Sequence, residues 1–375
     1  MSKINDLIKE LCPNGVSKYE IKDICKVTRG RVISKMELTE NAGDYPVYSS
    51  QTLNNGVFGK INTYDFEGEY VQWTTDGANA GSIFYRNGKF SVTNVCGLLK
   101  IKDEYLGKIK TNYLAYALTV ESKKYVNYAT SNPKLMSNVM ERITVLIPPL
   151  EVQEEIVRIL DKFGELEAEL EAELEARRSQ YEFWRGKLLS NKYEIKYLPE
   201  LSTNLDNRRK PVTKGNRESG KFPYYGASGI VDFVSNYIFD EDILLVSEDG
   251  ANLLARSTPI AFSSTGKVWV NNHAHVLKFD SKITQRYVEH YLNMIDLSEY
   301  ITGAAQPKLN QDNLNKIRIH IPTLEEQERI VNFLDKFDKL INDISVGLPA
   351  EIEARRKQYE YYRNKLLSFE EVSCE

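Results

Sequence analysis

Four cysteines and four histidines in 375 residues leave little material for a metal centre or a disulfide framework. Cys12, Cys25, Cys96 and Cys374 form no CxxC pair, so neither a zinc nor a redox motif is expected and a reducing compartment fits. His273 and His275 alternate along WVNNHAHVLKF; a zinc pair is one reading, and exposed strand residues are the other. No run of about 18 apolar residues occurs, so no transmembrane helix is expected. The opening MSKINDLIKELCPNG lacks a long apolar stretch and a small-residue cleavage site, so no secretory signal is expected and a cytoplasmic location is inferred.

Catalytic motifs are equally scarce. Gly215-Asn216-Arg217-Glu218-Ser219-Gly220-Lys221 follows the phosphate-loop pattern, but Phe222 stands where a hydroxyl should reach magnesium. Phe66-Glu67-Gly68-Glu69-Tyr70 approaches the F-x-G-x-G loop of adenosylmethionine enzymes, with Tyr70 in place of the second glycine. Ile147-Pro148-Pro149-Leu150 lacks both the amide and the stacking aromatic of an amino-methyltransferase tetrapeptide. The Glu-x-Lys inside KYEIK has no convincing Pro-Asp partner for a nuclease. No nucleophile–base–acid set stands out, so no catalysis is expected of this chain.

What the sequence does have is repetition. KYEIK occurs at Lys18–Lys22 and again at Lys192–Lys196, 174 residues on. Pro133-Lys134-Leu135 returns as Pro307-Lys308-Leu309, and Leu160-Asp161-Lys162-Phe163 as Leu334-Asp335-Lys336-Phe337, at the same offset. Asp76-Gly77-Ala78-Asn79 matches Asp249-Gly250-Ala251-Asn252 at 173, and Glu175-Ala176-Arg177-Arg178 matches Glu353-Ala354-Arg355-Arg356 at 178. The chain is a tandem duplication with small insertions, a pseudo-dimer rather than a solenoid. KYEIK itself reads as an opening strand of each copy, with Tyr and Ile on one face.

Each copy divides in two. Residues 1–145 and 192–319 carry β-rich phrases such as YPVYSS and DILLV, punctuated by Asn-Gly and Asp-Gly turns, with one or two intervening helices. They read as α+β. Residues 146–191 and 320–375 read as long helices. Apolar positions recur at Ile156, Leu160, Phe163 and at Ile330, Leu334, Phe337, and Thr323 with Glu326 forms a capping box. The first helix holds a perfect Leu-Glu-Ala-Glu tandem from Leu166. In the second, Val346-Gly347-Leu348-Pro349 should break the helix, with Pro349 restarting it. Net charge is −4 overall, yet the β-rich segments carry +4 and +1 and the helical segments −5 and −4. The acid is concentrated in the helices, which bears on partners rather than on fold.

Together these features resemble the specificity subunits of type I restriction–modification systems. The resemblance spans nearly the whole chain. It rests on Gln306-Pro307-Lys308-Leu309-Asn310, on Ile321-Pro322-x-Leu324-x-x-Gln327-x-x-Ile330, on the two EARRxQYExxRxKLLS phrases, and on the Leu-Glu-Ala-Glu tandem. The first copy departs from it, with Ser131-Asn132 where the second has Ala305-Gln306. The resemblance implies an α+β fold: two target recognition domains (1–145 and 192–319), separated by two long antiparallel helices (146–191 and 320–375) as a coiled coil, in a pseudo-twofold internal repeat. It implies a non-catalytic reader of a bipartite, asymmetric double-stranded DNA site. Its partners would be two modification (methyltransferase) subunits and restriction, or motor, subunits. S-adenosylmethionine, ATP and Mg are expected in those partners and no cofactor or metal in this chain. A self-contained N6-adenine methyltransferase and a coiled-coil scaffold are the alternatives.

Candidate DNA-contacting residues follow from the repeats. Lys134 and Lys308 hold the same place in both copies, where a charged tip meets phosphate or a guanine edge. Asn132, Gln306 and Asn310 beside them carry the amide that suits adenine; a loop-to-helix cap is the other reading. Asn79 and Asn252 lie in the repeated Asp-Gly-Ala-Asn phrase, either as base contacts or as β-turn residues. Tyr48 and Tyr225 follow the repeated proline of YPVY and FPYY, where core packing competes with base contact. Arg208, Arg209 and Lys210 are the densest basic run, read as phosphate contacts or as a solvated loop.

Overall fold

The computed structural model describes residues 2–129, 131–303 and 305–372; Cys374 lies outside them. Helices of ten or more residues are α1 (Ser2–Leu11), α2 (Thr111–Glu121), α3 (Leu150–Leu189), α4 (Lys282–Met294), α5 (Leu324–Asn342) and α6 (Leu348–Leu366). Among the described residues, no helix is long and apolar enough to cross a membrane. The chain forms two compact units, residues 1–169 with 352–375 and residues 170–351. Their boundaries cut through α3 and α6, so each unit owns a β-rich domain and parts of both helical segments.

In the first unit the strands are β1 (Ser17–Glu20), β2 (Cys25–Arg29), β3 (Ala42–Tyr48), β4 (Val57–Ile61), β5 (Phe66–Glu67), β6 (Tyr70–Thr74), β7 (Ile83–Arg86), β8 (Lys89–Val92), β9 (Cys96–Ile101) and β10 (Thr144–Ile147). They make the sheets β1-β10, β2-β9-β6-β7 and β4-β3-β8-β5. The second unit repeats the plan with β11 (Glu194–Tyr197), β12 (Ser202–Asn204), β13 (Ser219–Gly226), β14 (Gly229–Val234), β15 (Phe239–Asp240), β16 (Ile243–Ser247), β17 (Ala261–Ser264), β18 (Lys267–Val270), β19 (Ala274–Phe279) and β20 (Arg318–Ile321). Its sheets are β11-β20, β12-β19-β16-β17 and β14-β13-β18-β15, the same order strand for strand. Among the described residues of the larger sheets, only β3–β8 and β13–β18 pair in parallel. The central strands β6 and β16 are buried along their whole length, the polar Gln72, Thr74 and Ser247 included.

KYEIK does not mark equivalent positions. Ser17 pairs with Ile147 in β1–β10, whereas Glu194 pairs with Ile321 in β11–β20. The structural offset at this point is therefore 177, and the repeated pentapeptide is shifted by three residues between the units. In the first unit the strand ends at Glu20 and Ile21 enters a helical turn, fully buried. In the second, Ile195 lies inside the strand and is 47 % exposed. Burial of the residue that opens the turn, Ile21 or Leu198, sets the register.

The helices follow their sequence signals. Thr323 caps α5, accepting from the Glu326 amide. After Asn342 the chain leaves the helix: the Asp343 carboxylate takes the Ser345 amide (2.7 Å) and hydroxyl (2.5 Å), and α6 starts at Leu348 with Pro349 in its first turn. A Cβ on Gly347 would sit 2.6–2.7 Å from three carbonyl oxygens, so the turn needs glycine. In the first unit, Phe163 of α3 stacks on Tyr362 of α6 at 5.6 Å, and Glu167 pairs with Arg356 at 2.6 Å. In the second, Trp184 of α3 meets Phe333 of α5 at 5.9 Å. The first of these sets of contacts runs antiparallel, and Leu166, Leu170 and Leu174 of the tandem are half-buried.

Candidate nucleic-acid interface

The two phrases that recur most clearly, Asp-Gly-Ala-Asn and Pro-Lys-Leu, are brought together in both units. Gly77 donates to the Pro133 carbonyl (3.0 Å) and Leu135 to the Thr75 carbonyl (2.8 Å). Gly250 and Pro307 (3.1 Å), and Leu309 and Glu248 (2.8 Å), repeat the pattern. The glycines have φ of +91° and +109°, a conformation that disfavours any side chain. On its other edge Lys134 exchanges both backbone bonds with Asn127, and Lys308 with Thr302. Each lysine thus sits on a short extended segment clamped from two sides, and its side chain emerges at the surface.

Beneath this joint the units solve one problem differently. The Leu135 carbonyl is buried and receives the Trp73 indole N–H at 3.0 Å. In the second unit the Leu309 carbonyl faces His275 Nε2 at 2.8 Å. Trp73 and Gly97 are cross-strand partners, and so are Val246 and His275. The bulky donor has moved from one strand to the next, and Gly97 is needed because a Cβ there would lie 2.0 Å from the Trp73 ring. Trp73→Phe should therefore orphan a buried carbonyl and cost the first unit about 1–3 kcal/mol. Denaturant unfolding checks this; an unchanged midpoint would rule out the structural role.

His275 is 1 % exposed, not a surface strand residue. Its Nδ1 lies 2.6 Å from Asp206 Oδ2, and Asp206 Oδ1 accepts the Val276 amide at 2.8 Å. Arg209 reaches Glu248 at 2.5 Å and Asp206 at 3.4 Å, while Lys308 Nζ lies 3.1 Å from Glu248. Burial alone would raise both carboxyls, but His275 and Arg209 outweigh it and hold Asp206 and Glu248 below the ordinary carboxylate range. Asp206, Glu248 and His275 lie close enough to share a metal ion. Their ligand atoms already face two cations, a carbonyl and an amide, so the cluster is complete as an ion-pair network. The zinc pair considered for His273 and His275 is not formed either, since His273 turns to Asp249 at 2.8 Å.

The remaining candidates divide between surface and scaffold. Asn132 and Gln306 are exposed beside the lysines, and so is Lys210, whose backbone is fixed by Val270 and Trp269. Asn310 caps the helical turn Gln311–Leu314, accepting from Asn313 at 2.9 Å. The Asn79 amide donates to the Ser50 carbonyl, and Asn252 donates to Thr258 (both 2.9 Å). Tyr48 and Tyr225 are half-buried, Tyr48 against Phe90 and Tyr225 stacked on Phe262. Arg208 pairs with Glu241 at 2.5 Å and Arg209 is 14 % exposed within the network above. Sequence reasoning missed Trp73 and His275 as the supports of the joint. The one available signal was for Trp73, whose strand leads directly into the repeated glycine turn.

The family model for the type I restriction modification DNA specificity domain matches residues 13–176 and again 191–354. This chain belongs to that family. A putative type I specificity subunit of Mycoplasma pneumoniae, S.MpnORF507P, is 34 % identical over 94 % of this chain and 98 % of its own length. The MpnII specificity subunit of the same organism is 43 % identical over 50 % of this chain and 57 % of its own. The S subunit of a type I system from M. genitalium superposes with a TM-score of 0.60 at 17 % identity, covering 94 % of this chain and 96 % of that one. At that identity the likeness concerns the fold alone. Both matched segments end inside the helical parts, so each match spans one β-rich domain and part of the helical segment that follows it.

Proposed function

We propose that this specificity chain reads a bipartite double-stranded DNA site, one half-sequence per unit, and that it does so without catalysis of its own. The observation that carries the reading is the joint found once in each unit: a clamped lysine segment against a glycine turn, with an amide side chain beside it. Lys134 with Asn132 and Lys308 with Gln306 are placed to meet phosphate and base edges, with Lys308, 51 % exposed, exchanging its Glu248 partner for phosphate. Lys210 adds a phosphate contact, whereas Arg208, Arg209, Asn79, Asn252, Asn310, Tyr48 and Tyr225 support the backbone that presents them. The supports differ between units, so the two half-sequences differ and the whole site is asymmetric.

Two modification subunits dock on the helical segments, one per repeat. A solvent-facing stripe supports this: Ala176, Gln180, Phe183 and Lys187 recur as Ala354, Gln358, Tyr361 and Lys365, at helical spacing. Phe183 is 61 % and Tyr361 60 % exposed. Each has a lysine ammonium 5.9 Å from its ring. Packing within a unit does not account for residues retained on a wet face, whereas a common partner does. Those subunits would bring S-adenosylmethionine, and motor subunits ATP and Mg; no residue here is assigned to any of these.

The test is to reconstitute the chain with its modification subunits and sequence the methylated sites. A two-part motif is expected. Inserting one more Leu-Glu-Ala-Glu tetrad into α3 adds about 6 Å and about 40° of rotation. B-DNA advances about 3.4 Å and about 35° per base pair. The insertion is expected to shift the tolerated spacer by about one to two base pairs with both half-sequences kept. An altered half-sequence would refute the ruler, and a motif without two parts would refute the reading.

A further inference from the structure

The β3–β4 and β13–β14 connections differ in kind. In the second unit Gly226 pairs with Gly229, and Ala227 and Ser228 alone make the turn. In the first, Tyr48 pairs with Val57, and Ser49–Gly56 stand out as a loop. Asn54, Asn55 and Gly56 have φ of +49°, +49° and +78° in succession. Asn tolerates this conformation better than other residues with a side chain, but three left-handed residues in succession are uncommon, so the arc needs support.

Arg86 holds it. Its side chain is 2 % exposed and donates to Asn55 Oδ1 (3.0 Å), to the Asn55 carbonyl (2.9 Å) and to Gln72 Oε1 (2.7 Å). The guanidinium lies 3.7 Å from the Tyr48 ring centre and 4.5 Å from that of Phe84. None of these partners is a carboxylate. Burial pulls the group down to about 10, so it remains charged at neutral pH. The second unit shows what the fold does without it. Ser264 takes the place of Arg86, opposite Ile243 as Arg86 is opposite Tyr70. Tyr225 and Phe262, the counterparts of Tyr48 and Phe84, then stack on each other at 5.8 Å.

The Asn79–Ser50 bond anchors the start of the loop to the glycine turn, and Gln51 ties its side-chain amide to the Val57 carbonyl. Thr52, Leu53 and Asn54 project into solvent, Leu53 82 % exposed. A buried charge without a carboxylate partner is expensive, and Thr52–Asn55 return no burial within their own unit. An exposed apolar tip beside an exposed amide, on a backbone that Arg86 holds at Asn55, suits a thymine methyl and an adenine edge in the major groove.

We propose that Leu53–Asn55 is a base-reading finger specific to the first unit, recognising an A·T pair through Leu53 and Asn54, with Arg86 as its positioning residue. This rests on the reading of each unit as a DNA reader. The experiment uses the chain reconstituted with its modification subunits on double-stranded DNA, comparing the unaltered chain with Leu53→Ala/Asn54→Ala and with Arg86→Ser. Arg86→Ser installs the residue of the second unit and lets Tyr48 and Phe84 close on each other. Both variants are expected to keep their modification subunits. Each should methylate the original site about tenfold more slowly and relax one A·T position in one half-sequence only. Unchanged motif and rate in the loop variant would overturn the finger, as would an equal loss at all sites with the motif intact. Normal reading by Arg86→Ser alone would overturn the positioning role. An unaltered complex without sequence preference would overturn the DNA reading itself, and the finger with it.

Discussion

Replacing Asp206 with alanine is expected to destabilise the second unit by about 3–5 kcal/mol, the cost of breaking a buried ion pair from one side. Asp206 is 8 % exposed and faces His275, Arg209 and the Val276 amide. Its removal leaves a buried ring nitrogen and a backbone amide without acceptors. Asp206→Asn is the control. It preserves the acceptor for Val276, and its amide nitrogen can donate to His275 Nδ1 in the tautomer whose proton sits on Nε2 against the Leu309 carbonyl, so its cost is smaller. The pH dependence has a definite sign. Asp206 and Glu248 both titrate below their ordinary values in the folded chain. Their contribution is therefore full at neutral pH and is lost as pH falls below about 4 through the lowered values. Asp206→Ala removes one of the two groups, so stability should fall less steeply with acid than in the parent. Hydrogen exchange of β12 and β19 amides against pH reads both effects. A variant with parental protection and parental acid sensitivity would show that the network is not what holds the joint.

Charging the exposed stripe is expected to separate the two docking events. Phe183→Glu and Tyr361→Glu each place a carboxylate at the centre of a proposed contact, where an aromatic anchor is worth about 2–4 kcal/mol, or about 30- to 1,000-fold in affinity. Each single variant should recover one modification subunit and the double variant none, while circular dichroism stays unchanged because both side chains face water. Native mass spectrometry of the reconstituted complex gives the count directly. Two subunits bound at parental affinity by the double variant would remove the stripe as the docking surface. Loss of both subunits from either single variant would show that the sites are not independent.

The tandem repeat, the α+β character, the long helix and its break before Pro349 were legible in the sequence because each is set locally. Apolar period, an acidic first turn and a proline act within a few residues of one another. The α3 helix and the turn at Asp343–Gly347 lie where those signals put them. The repeated Asp-Gly-Ala-Asn and Pro-Lys-Leu phrases were visible too, but not that they meet. Their joint is made by backbone pairing across more than fifty residues of chain, which no local pattern encodes.

Side-chain roles at the interface were decided by contacts of the same long range. Arg208 and Arg209 read as free basic residues until Glu241 and Glu248 are found beside them. His275 reads as a surface residue until Asp206, 69 positions earlier, and the Leu309 carbonyl close around it. Even KYEIK, identical in both copies, takes two different registers, because the fold aligns the buried residue that follows the strand and not the letters within it. By itself the sequence determined that this protein is built twice from one plan and joined by helices. Only the tertiary structure decided which of its polar residues are turned inward to hold that plan and which are left facing solvent, because burial and pairing depend on what the rest of the chain brings alongside.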